Sequence, residues 1–268
     1  MLIKRIATAA VLVPLVVIGT LKLDNFYFGI ALASVVAIGA WEYSRLIQIQ
    51  QKMLQVLYGV VIAVIALLGA SFEVYLMPLL MLSAAWWLLN IVWILSYPKY
   101  SNCWHTSWPA RLINGLFIFV PMVTALVTLQ QNTSELVLLL LVLIWSADSG
   151  AFFVGKSIGR HKLSPKVSPG KTIEGAIGGI VATIGVMMIY VALQIDGAVA
   201  GDYFQYAVVA LLVAIASIVG DLFESLYKRI SNIKDSSNLL PGHGGVFDRV
   251  DSLTAAAPIF YLAYELLI

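Results

Sequence analysis

Long apolar runs follow one another through most of this chain, and no other feature limits its fold more. A helix that crosses a bilayer needs about 20 predominantly apolar residues. Nine stretches approach that condition: Ile6–Leu21, Phe26–Tyr43, Leu54–Ala70, Val74–Leu95, Leu112–Leu129, Leu136–Val154, Ile173–Leu193, Phe204–Leu222 and Leu253–Ile268. The first and last are short. The residues are 61% hydrophobic and only 11% charged, against about 25% charged in soluble domains, and the mean hydropathy is +0.94. A soluble fold of this length has too little interior to hide so much apolar surface, whereas lipid can face it. The expected fold is therefore all-α: a polytopic integral membrane protein of about nine transmembrane helices.

The basic residues give an orientation. With the N-terminus in the cytoplasm and nine alternating spans, the cytoplasmic segments hold Lys4, Arg5, Arg45, Lys52, Lys99, Arg111, Lys156, Arg160, Lys162, Lys166, Lys171, Lys228, Arg229, Lys234 and Arg249. Only Lys22 falls outside, as the positive-inside rule requires. The N-terminal run resembles a signal peptide, but no small-x-small cleavage pattern precedes Lys22 and Asp24, so it reads as an uncleaved first helix. The single cysteine, Cys103, has no partner for an intramolecular disulfide and reads as a packing residue. No internal repeat or soluble domain interrupts the pattern. Residues 1–268 form one membrane domain, mostly apolar over 1–135, with polar residues concentrated in 136–268.

An acidic residue inside a span costs about 2.5–3.5 kcal/mol on insertion scales, so it marks a functional candidate. Asp148 lies within the sixth run and Asp221 at the cytoplasmic end of the eighth. Continuing that helix places Asp221, Glu224, Ser225 and Lys228 on one face, at i, i+3, i+4 and i+7. Asp248 and Asp251 share a face if the ninth helix starts near Val246. Carboxylates gathered at one membrane surface need positive charge, and hard oxygen ligands suit Mg²⁺, Mn²⁺ or Ca²⁺ far better than zinc. Asp148, Asp221, Asp248 and Asp251 are the expected ligands of Mg²⁺, as one ion or a pair.

The segment after the sixth run supplies cations among Gly, Ser and Pro: Lys156, Arg160, Lys162, Lys166 and Lys171. Pro169-Gly170-Lys171-Thr172 leads into the seventh run, where helix N-terminal N–H groups and a lysine suit an anion. A P-loop is rejected, because Pro165 stands where that motif needs glycine and the chain continues into a membrane helix rather than joining a buried strand to one. The last polar segment contains Pro241-Gly242-His243-Gly244-Gly245, a backbone that allows close approach to a ligand, followed by Asp248 and Asp251.

This last segment resembles the signature of the phosphatidate cytidylyltransferases, the CDP-diacylglycerol synthases. That signature runs S-x-x-K-R, four residues, K-D, then P-G-H-G-G-x-x-D-R-x-D. Ser225, Lys228, Arg229, Lys234, Asp235, Pro241 to Gly245, Asp248, Arg249 and Asp251 match it in order. Ser168-Pro169-Gly170-Lys171-Thr172-Ile173-Glu174-Gly175 is similar to the family's S-P-x-K-T-x-E-G element, and Asp148 with Ala151-Phe152-Phe153 to its sixth-span motif. The likeness is strong from about residue 140 to 255, and rests on hydropathy alone before that.

The resemblance implies a nucleotidyltransferase in phospholipid biosynthesis, with CTP and phosphatidic acid as substrates and CDP-diacylglycerol and pyrophosphate as products. It also implies a homodimer in a bacterial inner membrane, with the active site facing the cytoplasm and no nucleic-acid partner. Lys228, Arg229, Lys234, Asp235, His243 and Arg249 become the expected catalytic set. Ser168, Lys171, Thr172, Glu174, Ser225, Gly244 and Gly245 become the expected substrate-binding set. A lipid phosphate is already largely ionised near pH 7, so His243 is expected to donate to a phosphate oxygen rather than to act as a general base. Two other classes fit less well. A transporter would show repeat symmetry and acids near mid-bilayer. A CDP-alcohol phosphotransferase needs a D-G-x-x-A-R motif that Asp148-Ser149-Gly150 does not supply. A cytidylyltransferase of another lipid phosphate remains the alternative, because nothing in the first half reads out acyl chains.

Overall fold

The computed structural model describes residues 2–99, 107–233, 235–240, 242 and 244–268. Cys103, Lys234, Pro241 and His243 lie outside the described residues. The described residues form nine α-helices: α1 (Leu2–Lys22), α2 (Asn25–Leu46), α3 (Lys52–Ala70), α4 (Leu76–Ser96), α5 (Trp108–Asn132), α6 (Ser134–Ile158), α7 (Ile173–Gln194), α8 (Ala200–Ile230) and α9 (Phe247–Leu267). One 3-10 turn, Glu73–Tyr75, precedes α4. An antiparallel hairpin, β1 (Lys162–Ser164) and β2 (Ser168–Thr172), lies between α6 and α7.

Each apolar run has become one helix, and seven of these, α2 to α8, are long and apolar enough to cross a membrane. The outer faces of α3 and α4 leave Val56, Val60, Val64, Leu68, Leu82, Leu88, Val92 and Leu95 exposed. Apolar patches of that extent need lipid or another protein to cover them. The apolar part of α1 is shorter, Ala10–Lys22. α9 misses the hydropathy condition because of where it sits. It packs against α8, α5, α4, α6 and α2, and Ala255, Ala256, Ala257 and Phe260 are completely buried. A helix sheathed by protein need not be apolar on every face, so α9 can carry Asp248, Arg249 and Asp251 in its first turns.

Small residues set the tightest crossing, between α6 and α7. A Cβ on Gly179 would lie 2.6 Å from the Ala147 carbonyl oxygen, and one on Gly175 would lie 2.8 Å from that of Ala151. On α6, a Cβ on Gly150 would lie 2.7 Å from the Gly178 carbonyl oxygen. The glycines from Gly175 to Gly179 thus make their close approach within the chain, backbone against backbone. Gly220 does the same for α8 and α9: a Cβ there would lie 2.5 Å from the Asp251 carbonyl oxygen.

α8 is 31 residues long, about 46 Å at 1.5 Å per residue, against a hydrocarbon core of about 30 Å. The expected span ended at Leu222, but the helix continues to Ile230 and carries Glu224, Lys228 and Arg229 beyond it.

Candidate active site

The hairpin is where the structure departs most from a simple cationic loop. Lys162 pairs with Thr172 and Ser164 with Ser168, with a bulge between, and β2 runs straight into α7. Thr172 caps that helix, its hydroxyl accepting from the Gly175 N–H at 3.1 Å. Glu174 closes the hairpin base: its carboxylate accepts from the N–H groups of Arg160 (3.1 Å) and His161 (3.2 Å) and lies 2.6 Å from His161 Nδ1. At the turn, Val167 is completely buried, and its carbonyl accepts from Arg229 Nε at 3.0 Å. Thr172, Glu174 and the Nε of Arg229, all expected at the substrate, thus hold the hairpin against α7 and α8. A short strand does precede α7, contrary to the loop expected from sequence, but it belongs to a largely exposed two-stranded hairpin rather than a buried sheet.

A fixed hairpin aims Lys171 inward. Its Nζ lies 2.6 Å from Asp221 Oδ2, linking β2 to α8. Together they line a cavity of about 440 Å³ with the polar residues Asp148, Lys156 and Thr172 and the apolar residues Ala147, Ala151, Phe152, Ala176 and Ile218. Hairpin and helices both contribute polar and apolar groups to the wall. Ser225 donates to Asp221 Oδ1 at 3.4 Å.

Acids continue from this cavity in an unbroken series. Asp148, Asp221 and Asp251 act electrostatically on one another and feel Lys171, and Arg249 acts on Asp148. Glu224 feels both Asp251 and Asp248. Five carboxylates therefore share the field of three cations, Lys171, Lys228 and Arg249. Among the described residues, no three His, Cys, Asp or Glu side chains converge closely enough to hold an ion alone. Mg²⁺ does not require that, since it keeps several waters and takes one or two carboxylates together with substrate phosphates. The donor set fits such an ion.

Asp248, expected among the metal ligands, is heavily engaged. Its Oδ1 pairs with Lys228 Nζ, and its Oδ2 accepts from the N–H of Gly245 (2.6 Å), the N–H of Ser236 (3.2 Å) and the Ser236 hydroxyl (2.8 Å). Lys228 also lies 2.6 Å from Glu224 Oε2. Gly244 adopts φ +80°, and a Cβ there would lie 2.6 Å from Asp248 Oδ2. Gly244 and Gly245 thus let the chain fold tightly onto a carboxylate of its own. Asp235 is exposed on the same segment, and so is Arg249 at the start of α9.

Sequence reasoning missed Glu42. It lies on α2, completely buried, and among the described residues its carboxylate is hydrogen-bonded by Ser236, Ser237, Val246 and Phe247. Its Oε1 accepts from the Ser237 hydroxyl and the Val246 N–H (3.0 Å), and its Oε2 from the Phe247 N–H (2.6 Å) and the Ser236 hydroxyl (3.2 Å). Arg45, one turn on, donates to the Ser236 carbonyl at 3.1 Å. Beneath them Tyr43 packs on Tyr227 and Phe247, with ring centroids 5.3 and 6.0 Å apart. The signal was present: Glu42 is the sole acid in the second apolar run.

A helical membrane domain whose polar end gathers lysines, carboxylates and a half-apolar cavity defines a membrane enzyme that handles anionic substrates. Comparison with known proteins narrows the class. A family model described as the cytidylyltransferase family matches residues 3–267. The chain is 42% identical over 262 residues to a phosphatidate cytidylyltransferase of Pseudomonas aeruginosa, covering 97% of this chain and 96% of that one. It is 35% identical over 285 residues to one of Haemophilus influenzae, covering 98% and 99%. One of Bacillus subtilis is 44% identical over 125 residues, 47% of this chain and 45% of that one. The chain belongs to the cytidylyltransferase family, and is a nucleotidyltransferase.

Proposed function

We propose that the protein joins CTP and phosphatidic acid into CDP-diacylglycerol with release of pyrophosphate. Near-full-length similarity to two phosphatidate cytidylyltransferases supports this. The observation that carries it is the cavity, lined by Lys171, Asp221 and Asp148 together with Phe152, Ala176 and Ile218. The charged groups suit phosphates and the apolar ones an acyl glycerol. In the reaction a phosphate oxygen of the lipid attacks the α-phosphorus of CTP, and the bond to the β-phosphate breaks. The attacking oxygen is already anionic, so the difficulty is bringing two anions together. Lys171, Arg229, Lys234 and Arg249 lower that repulsion and steady the leaving pyrophosphate, Lys228 holds Glu224 and Asp248 in place, and His243 donates to a phosphate oxygen. Asp148, Asp221 and Asp251 would hold Mg²⁺, with Asp248 the member whose oxygens are already engaged. When bound, the ion supplies positive charge to the phosphates.

Labelled CTP offered to the purified protein with phosphatidic acid, and in parallel with an isoprenoid phosphate, tests this reading. CDP-diacylglycerol is expected as product; turnover with the isoprenoid phosphate alone overturns it. EDTA should abolish turnover and Mg²⁺ restore it. The site is proposed to face the cytoplasm of a bacterial inner membrane, so reporter fusions should place the N-terminus inside and the C-terminus outside. The homodimer implied by resemblance is checked by the mass of the detergent-solubilised particle.

A further inference from the structure

We infer that Glu42 is a positioning residue for the transfer reaction: from the apolar half of the chain, its carboxylate caps the first turn of α9 and ties Ser236 and Ser237 to α2. The inference rests on the reading of the α8 and α9 acids as the reaction centre.

A buried carboxylate is costly unless hydrogen bonds replace its water. Glu42 is completely buried, and no basic side chain pairs with it among the described residues. Four donors replace the water instead, two hydroxyls and two backbone N–H groups. Packing alone would be served by an apolar side chain, so the acid is there for those donors. The two N–H groups, of Val246 and Phe247, belong to the start of α9, where Val246 stands at the cap position and has no side-chain oxygen to offer. The orphan N–H groups and positive end of a helix favour an anion. Here that anion comes from another helix, 204 and 205 residues earlier in the chain.

The fit is close. A Cβ on Gly245 would lie 2.5 Å from Glu42 Oε1, so only glycine admits the carboxylate at that point. Ser236 joins this cap to the reaction centre: its hydroxyl lies 3.2 Å from Glu42 Oε2 and 2.8 Å from Asp248 Oδ2, with one proton to share. Asp248 in turn meets Lys228. The cap therefore sets the height and rotation of the α9 turn that carries Asp248, Arg249 and Asp251. It also uses the N–H groups of residues 246 and 247 while Asp248 uses that of Gly245.

A misplacement of about 1 Å away from the reacting atoms can cost about 10²-fold in rate. Glu42→Gln keeps the shape but turns one acceptor into a donor facing an N–H. In full-length protein in detergent, kcat should fall about 10²-fold, with KM for phosphatidic acid unchanged within about twofold. Amide hydrogen exchange should accelerate in residues 236–247 while α5 stays protected. Ser237→Ala removes one donor and leaves the carboxylate, so it should move turnover and exchange the same way by less. Unchanged exchange in 236–247, or acceleration shared equally by α5, would overturn the inference. The exchange measurement needs no substrate. Wild-type protein that fails to turn over CTP with phosphatidic acid would refute the proposed function and leave the exchange result standing.

Discussion

Two lysine–aspartate pairs tie the catalytic half together, and they are built to opposite ends. Lys171 and Asp221 meet at 2.6 Å with side chains 25% and 32% exposed, on the wall of the cavity. Lys228 and Asp248 meet with side chains 16% and 6% exposed, and both are engaged further: Lys228 by Glu224, Asp248 by Ser236 and Gly245. The open pair keeps donors and acceptors for a ligand, while the closed pair uses them on the fold. Charge and spacing look alike in the two cases, so what separates a binding group from a positioning group is unspent hydrogen-bonding capacity facing a space.

That contrast predicts different failures. Asp248→Asn should have the largest effect, because breaking a buried ion pair costs about 3–5 kcal/mol. Thermal unfolding in detergent should shift clearly downward, with activity lost alongside. Unchanged melting with abolished turnover would break the comparison and put Asp248 among the metal ligands. Asp221→Asn should do the reverse: turnover falls about 10²–10³-fold, or about 2.7–4 kcal/mol of barrier, while melting holds. Gly245→Ala comes next, its methyl driven against Glu42 and Ser236. Overpacking of this kind costs about 1–3 kcal/mol, read as lower melting with activity falling in step. Gly170→Ala should be the smallest. Nothing lies within 4 Å of its Cβ position, so stability should stay within about 0.5 kcal/mol. A tenfold loss of turnover in that stable variant would show that β2 closes on substrate.

Much of this was readable in the chain. Nine apolar runs became nine helices, because a 3.6-residue period and a bilayer's thickness leave little choice of length. Asp221, Glu224, Ser225 and Lys228 fell on one face of α8 as their spacing requires, and α9 began at Phe247, beside the expected Val246. The hairpin at 162–172 was not readable as such. Its strands are three and five residues long, and they are stabilised by Glu174 and Arg229 from elsewhere rather than by their own pattern. The lower hydropathy of α9 was equally opaque until its neighbours were seen around it.

By itself, the sequence determined that this protein lies in a membrane as a helical bundle, and which residues carry charge toward one end of it. Those follow from hydropathy and helical spacing, which are local and additive along the chain. Only the tertiary structure decided which charges remain available. Asp221 faces a cavity, Asp248 is closed in by its own loop, and Glu42, from a helix that reads as plain apolar span, holds that loop in place. Availability depends on donors and acceptors about 200 residues apart meeting at about 3 Å, the ordinary hydrogen-bond distance, and no pattern within a single segment encodes such a meeting.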